Sequence, residues 1–575
     1  MGKYSNEKNV QILIAVLKAN GIRKVIISPG TTHISFLVSL VNDGDFELYS
    51  AVDERGAAYM ACGLASESGE PVVITCTGAT ASRNYLPGLT EAYHRRLPIL
   101  AVTGSQDLVR VGNLSPQVID RTEQPTDSVR ISVQVPIVRN ESDEYDATLK
   151  INKAVLEMFR HGGGPAHINL ASSYSNDFTV NDLSHVRIIR RHSYGDVLPR
   201  ISGKKKVAII VGNHKPFSPA LTQAVDRFCG IYNAAVIVDH SSHYWGEYRV
   251  LPTIITCQEQ YKPNLFDYDL LIHLGGEHAD SYTNTASKRV KEVWRVCEDG
   301  EIRDPFKKLT HVFEMREEDF FAHYSKRGGQ EPPQHSYLDS IKKEADDLYS
   351  MIPELPLSNI WVAQQVIPQF PPDACIELGV SNTMRSWTFF DFPNKTYVLA
   401  NTGCRGIDGA IPTLLGMSVA DPERLHYAVM GDLTFFYSFN VLGNRHFGNN
   451  VRILLINNGS GQEFNAYLHR AYRIYEGNRD KINEFIAAGG HTGTKSKQLV
   501  RHFAQDIGFK YLTASTKEEF LENLPAFMSK EKKSSIIFEV FTDGDMENKA
   551  LRLIRNMKVD ASSAVKRGIK SILRR

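Results

Sequence analysis

The sequence predicts an α/β fold made of three parallel-sheet domains, and three observations lead to its layered architecture. At 575 residues the chain is too long for one hydrophobic core, so two to four domains are expected. Short apolar runs that read as buried strands alternate with stretches whose apolar residues recur at helical spacing, the βαβ pattern of a parallel sheet. Each run ends in glycine and polar residues, which gathers the loops at the carboxyl ends of the strands, where such sheets bind ligands.

The elements follow in order. Residues 10–20 are amphipathic and stop at Gly21, and Val25-Ile26-Ile27 is a short strand leading into Ser28-Pro29-Gly30. Residues 72–75 and 99–103 are further strands, and the run 164–170 closes a first domain, 1–185. A basic, irregular stretch at 187–206 reads as a linker. The central domain, 200–345, follows with strands at 207–212, 235–239 and 270–276. It has no full G-x-G-x-x-G, so a nucleotide site is not indicated there. A charged segment at 326–347 marks the next boundary. The third domain, 355–555, repeats the pattern of the first, with strands at 374–378, 397–400, 426–430, 451–456 and 536–540. Residues 556–575 form a basic tail with apolar residues at near-helical spacing. It reads as a solvated or packed terminal helix, or as a contact for an anionic membrane or a partner.

A net charge of +1 gives no bulk attraction to nucleic acid or membrane. The seven cysteines are dispersed without C-x-x-C spacing, which argues for reduced thiols rather than a disulfide framework or a zinc site. The first eight residues lack the apolar core of a signal peptide, and no apolar run reaches membrane-spanning length. The expected setting is the cytoplasm.

Two distant segments carry the chemistry. Glu54, in Asp53-Glu54-Arg55-Gly56-Ala57-Ala58, opens a helix that is small and apolar on one side. Far downstream, Gly431-Asp432 follows a buried strand, and Asn458 lies just past the next strand, so both reach the same sheet edge. Hard oxygen ligands of this kind suit Mg²⁺ or Ca²⁺. Backbone N–H groups at the start of a helix from Thr434 suit a diphosphate. Taken singly, each is equally a structural device: an acid at a helix N-terminus, a capping Asp, an Asn-Asn-Gly turn.

Taken together and in this order, the segments resemble the thiamine-diphosphate (ThDP) family that includes acetohydroxyacid synthase and pyruvate decarboxylase. The matching stretches are Ile27-Ser28-Pro29-Gly30, Asp53-Glu54-Arg55 with Ala57-Ala58, and Thr77-Gly78 with Thr80-Ala81 and Asn84. Further on come Gly406-Ile407-Asp408-Gly409, Gly431-Asp432-Leu433, and Asn457-Asn458 with Gly461-Gln462 and Phe464. The Gly-Ile-Asp-Gly and Gly-Asp-Leu variants resemble the menaquinone-biosynthesis branch. The resemblance implies that the three domains are of the pyrimidine-binding (1–185), central (200–345) and diphosphate-binding (355–555) kinds, with ThDP and Mg²⁺ as cofactors. Glu54 would activate the cofactor through its pyrimidine; Asp432, Asn458 and the Ser460 carbonyl would hold the metal. Gly431, Leu433, Thr434 and Phe464 would line the cofactor site, and Ile407 would sit beneath the cofactor. Gln117 would face the reacting centre, and Ser381 with Arg385 would bind the 2-oxoacid, an arginine fork suiting a distal carboxylate such as that of 2-oxoglutarate.

Three departures concern the acceptor. Thr32, Gln106 and Thr402 stand where the family has arginines, with Arg405 close to the third in sequence. The expected activity is decarboxylation of a 2-oxoacid with carboligation to an acceptor. The open alternatives are a different acceptor such as a keto-sugar or aldehyde, simple decarboxylation, and a non-catalytic protein that kept the fold. The partners implied are small molecules and a second copy of the chain, as a homodimer or homotetramer, with no nucleic acid.

Overall fold

The computed structural model describes residues 3–202, 205–279, 289–326, 335–491 and 495–559. Of the basic tail, 556–575, residues 560–575 therefore lie outside the described residues. The chain forms two compact units, residues 1–192 with 301–312, and residues 193–300 with 313–575. It contains three sheets, of six, seven and six strands.

In the first unit the strands are β1 (Lys24–Ile27), β2 (Glu47–Ser50), β3 (Val72–Cys76), β4 (Ile99–Ser105), β5 (Ile131–Val135) and β6 (Ala166–Ala171). They lie in the order β2-β1-β3-β4-β6-β5, every neighbouring pair parallel. Alternate residues of the inner strands serve opposite faces, as strand geometry requires. Val25, Val73, Leu100 and Val102 pack with the helices Lys8–Ala19 and Glu141–Glu157. Ile26, Ile74 and Ala101 pack with Glu54–Ser68 and Leu86–Arg95. The helix Glu54–Ser68 buries Ala57, Ala58, Ala61 and Ala65. This small-residue face lets Gly88 approach so closely that a Cβ there would stand 2.4 Å from the Ala58 Cβ.

The segment expected to be linker contains β7 (Arg190–Ser193). The second unit continues with β8 (Lys206–Val211), β9 (Asn233–Val238), β10 (Arg249–Val250), β11 (Leu270–Leu274) and β12 (Glu292–Val296). These five are parallel, in the order β10-β9-β8-β11-β12. β13 (Leu309–Glu314) follows. The charged segment taken as a boundary contains part of the helix Ser336–Ser350, which buries Tyr337, Leu338, Ile341 and Leu348 beneath its charged face.

The last sheet comprises β14 (Cys375–Leu378), β15 (Tyr397–Leu399), β16 (His426–Gly431), β17 (Val451–Asn457), β18 (Lys510–Ala514) and β19 (Ile536–Phe541). Its order, β15-β14-β16-β17-β19-β18, repeats that of the first sheet strand for strand, again all parallel. Among the described residues no helix is long and apolar enough to cross a membrane.

Candidate active site

Chain order reverses between β14 and β16, the topological switch point at which open parallel sheets bind ligands. A cleft opens there, at the carboxyl ends of β14, β16 and β17. Of the residues expected to serve cofactor and metal, Ile407, Gly431, Asp432, Leu433, Thr434, Asn458, Ser460 and Phe464 all line it, as does Ser381. The helix after β16 spans Asp432–Ser438, two residues earlier than expected, so its first N–H groups begin at the cleft wall.

Asp432 is 6% exposed. Burial, and secondarily Glu539, push its carboxyl up to about 7, against the opposing pull of the Leu433 and Gly459 backbone N–H groups. Among the described residues no cation pairs with it. A divalent ion is what such a buried carboxylate lacks, and its charge would restore the ionised form. The donors nearby are oxygens. Asn458 Oδ1 accepts from the Ser460 N–H at 3.4 Å, and the Ser460 hydroxyl accepts from Asn465 at 3.1 Å, so the Ser460 carbonyl is not used by either bond. No cluster of three His, Cys, Asp or Glu exists among the described residues. One carboxylate with amide and carbonyl oxygens suits a hard cation that keeps positions for phosphate. The cleft thus fits a magnesium diphosphate.

The 2-oxoacid residues lie on the exit from β14. Ser381 precedes the helix Asn382–Trp387 with φ +69°, the left-handed region that costs a non-glycine residue free energy. Arg385 does not stand free, because it pairs with Glu463 at 2.8 Å. Glu463 lies in the variable position of Gly461-Gln462-x-Phe464 and lines the cleft, and sequence reasoning passed over it. Asn359 was missed too. It lines the cleft wall while accepting from the Trp387 indole at 2.9 Å, and nothing in its local sequence marks it.

Thr402 is buried and accepts from Asn213 at 3.1 Å, while Arg405 donates to the His278 carbonyl at 3.1 Å. Loops at the carboxyl ends of β8 and β11 thereby brace the segment that carries Ile407.

The remaining candidates belong to the first unit. Glu54 is the first residue of its helix; Asp53 caps it, accepting from the Arg55 and Gly56 N–H groups. Asn84 donates to Glu54 at 3.3 Å, which gives that motif asparagine a partner. Gln117 is exposed, with φ +63°. Thr32 is buried; its hydroxyl bonds Thr77 at 2.7 Å and accepts from the Gly78 N–H at 3.0 Å. Gln106 accepts from Arg110.

Residues 8–126 match the N-terminal, and residues 379–539 the C-terminal, TPP binding domain of the thiamine pyrophosphate enzymes. Similar curated proteins carry the name 2-succinyl-5-enolpyruvyl-6-hydroxy-3-cyclohexene-1-carboxylate synthase. That of Phocaeicola vulgatus is 29% identical over 96% of this chain and 98% of its own length. That of Bacteroides fragilis is 28% identical over 96% and 99%, and that of Porphyromonas gingivalis 25% over 94% and 95%.

Proposed function

We propose that this chain, a thiamine-diphosphate-dependent enzyme, releases CO₂ from 2-oxoglutarate and joins the remaining acyl unit to an acceptor through a new C–C bond. The cleft at the β14/β16 switch point, lined by a buried carboxylate that no cation pairs with among the described residues, is the observation that carries the reading. The name shared by the relatives supports it.

When bound, ThDP supplies the carbon nucleophile for the ketone and the sink for the electrons that CO₂ leaves behind. The chain supplies position and charge. Glu54 would hold a proton at the pyrimidine N1′, with Asn84 orienting its carboxylate. Asp432, Asn458 and the Ser460 carbonyl would hold Mg²⁺, and the N–H groups of Leu433 and Thr434 would meet the phosphates. Ile407 and Phe464 would pack against the rings and keep water out. Ser381 would bind the 1-carboxylate end of the donor. Arg385 would take its distal carboxylate, exchanging Glu463 for it. Gln117 would contact the reacting centre. The resemblance places such cofactors between two subunits, so the working form would be a homodimer or homotetramer in the cytoplasm.

A second reading keeps the donor and changes the acceptor to a keto-sugar or aldehyde. The uncharged Thr32, Gln106 and Thr402 favour it, because a buried carboxylate that loses its cation costs about 2–5 kcal/mol. ¹³CO₂ release from 1-¹³C-labelled 2-oxoglutarate and pyruvate, with ThDP and Mg²⁺, tests the donor. Preferential release from 2-oxoglutarate is expected. Release from pyruvate alone would mean that Ser381 and Arg385 are misread, and release from neither would sink the reading.

A further inference from the structure

One cation in the first unit is buried with no counter-charge among the described residues. Arg121 is 2% exposed, and its side chain makes a single hydrogen bond, to the Gly104 carbonyl at 2.9 Å. Its Nε and its other terminal nitrogen are buried with no partner among the described residues. Among the described residues no carboxylate pairs with it. Asp120, its neighbour in sequence, turns to Thr122 instead, bonding both its N–H and its hydroxyl. Burial first, and the neighbouring cation Arg83 with it, lower its pKa to about 10 against an opposing influence of the Cys76 thiol.

Its position is equally specific. Gly104 is the penultimate residue of β4, and Gly78 lies two residues past the end of β3, so the guanidinium lies at the carboxyl-terminal edge of the first sheet. A Cβ on Gly78 would stand 3.7 Å from the unpartnered Arg121 nitrogen and 3.1 Å from the Gln117 carbonyl. Cys76, at the end of β3, interacts electrostatically with both Arg121 and Glu54. The cation therefore shares one sheet edge with Glu54, Gly78 and Gln117. A buried guanidinium left unpaired destabilises the fold that contains it. It persists where an anion arrives during function, and an arginine fork matches a carboxylate.

We propose that Arg121 is the counter-charge for a carboxylate on the acceptor, and hence that the acceptor is a carboxylic acid. The inference rests on the carboligase reading above. The donor already has its cation, Arg385, in the other unit. Thr32 and Gln106 bring no charge to this edge, so Arg121 supplies it from the segment after Gln117 instead.

The test uses full-length protein loaded with ThDP and Mg²⁺, in an Arg385→Met background that removes the donor-site cation. Fumarate and its diamide are the probes, titrated calorimetrically. Fumarate is expected to bind and the diamide not. Arg121→Met should weaken fumarate about tenfold or more, while Arg121→Lys, which keeps the charge, should weaken it less than about threefold. Without probe, Arg121→Met should unfold at the same temperature or higher, since it discards an unpaired buried charge. Equal fumarate binding in Arg121→Met, or no binding in the background protein, would overturn the proposal. So would a lowered unfolding temperature in Arg121→Met together with unchanged binding, which marks a structural arginine. CO₂ release by the wild type tests the carboligase reading separately, so the two can fail independently.

Discussion

Replacing Glu463 by glutamine should tighten the donor site. In the structure its carboxylate holds Arg385 at 2.8 Å, with the two side chains 20% and 39% exposed. A distal carboxylate binding Arg385 must displace that partner and then sit beside a like charge. Two unit charges about 4 Å apart interact by about 1 kcal/mol in water and about 4 kcal/mol near a protein surface of low polarity. Exposure of this degree puts the pair toward the lower figure, about 1–2 kcal/mol after screening. At about 1.4 kcal/mol per factor of ten, Glu463→Gln should lower the KM for 2-oxoglutarate by roughly fivefold to thirtyfold. Pyruvate has no distal carboxylate, so its KM should change by less than about twofold on the same argument. The isostere keeps the cleft's shape, and loss of a half-exposed pair costs stability no more than about 1 kcal/mol. Steady-state CO₂ release against both donors is the assay. An unchanged or raised KM for 2-oxoglutarate would refute the claim that Glu463 competes for Arg385.

Three further outcomes are expected. Asp432→Ala should abolish the rise in unfolding temperature that Mg²⁺ and ThDP give the wild type, since ligand stabilisation requires binding to the folded state; an undiminished rise would remove Asp432 from the metal site. His33 is buried, and burial lowers its pKa to about 4 while the unfolded chain protonates near 6.5. Its folded pKa lies below the unfolded one, so stability is full above pH 6.5 and falls as pH drops toward 4. Between pH 7.5 and 5 it should contribute about 2 kcal/mol of that loss, which urea unfolding of His33→Gln should show as a shallower pH dependence. Gly88→Ala should cost about 1–3 kcal/mol through the clash with Ala58 and shift the helix that begins with Glu54; a change below about 0.5 kcal/mol would mean that the helices separate freely.

Much of this was legible in the chain because the inner strands are continuous apolar runs and the candidate site residues of the last sheet directly follow them. β3, β4 and β17 are buried at every position, and Asp432 and Asn458 fall where β16 and β17 end. The edge strands were not legible. β2 is half-exposed throughout and β5 alternates, so neither presents an apolar run. The helix Ser336–Ser350 was hidden by the charge on its outer face. Pairings between distant segments were hidden for a different reason. Nothing local to Arg385 announces Glu463, and nothing local to Arg121 announces that its charge lies unpaired beneath Gly104. Those contacts depend on which loops the repeated strand order brings to one edge.

The most direct test of the central claim is ¹³CO₂ release from 1-¹³C-2-oxoglutarate by wild type and Glu54→Gln, each with ThDP and Mg²⁺ bound. Loss of the carboxylate should slow release by about 10²–10⁴-fold with cofactor binding retained. Equal rates in the two proteins would contradict the account.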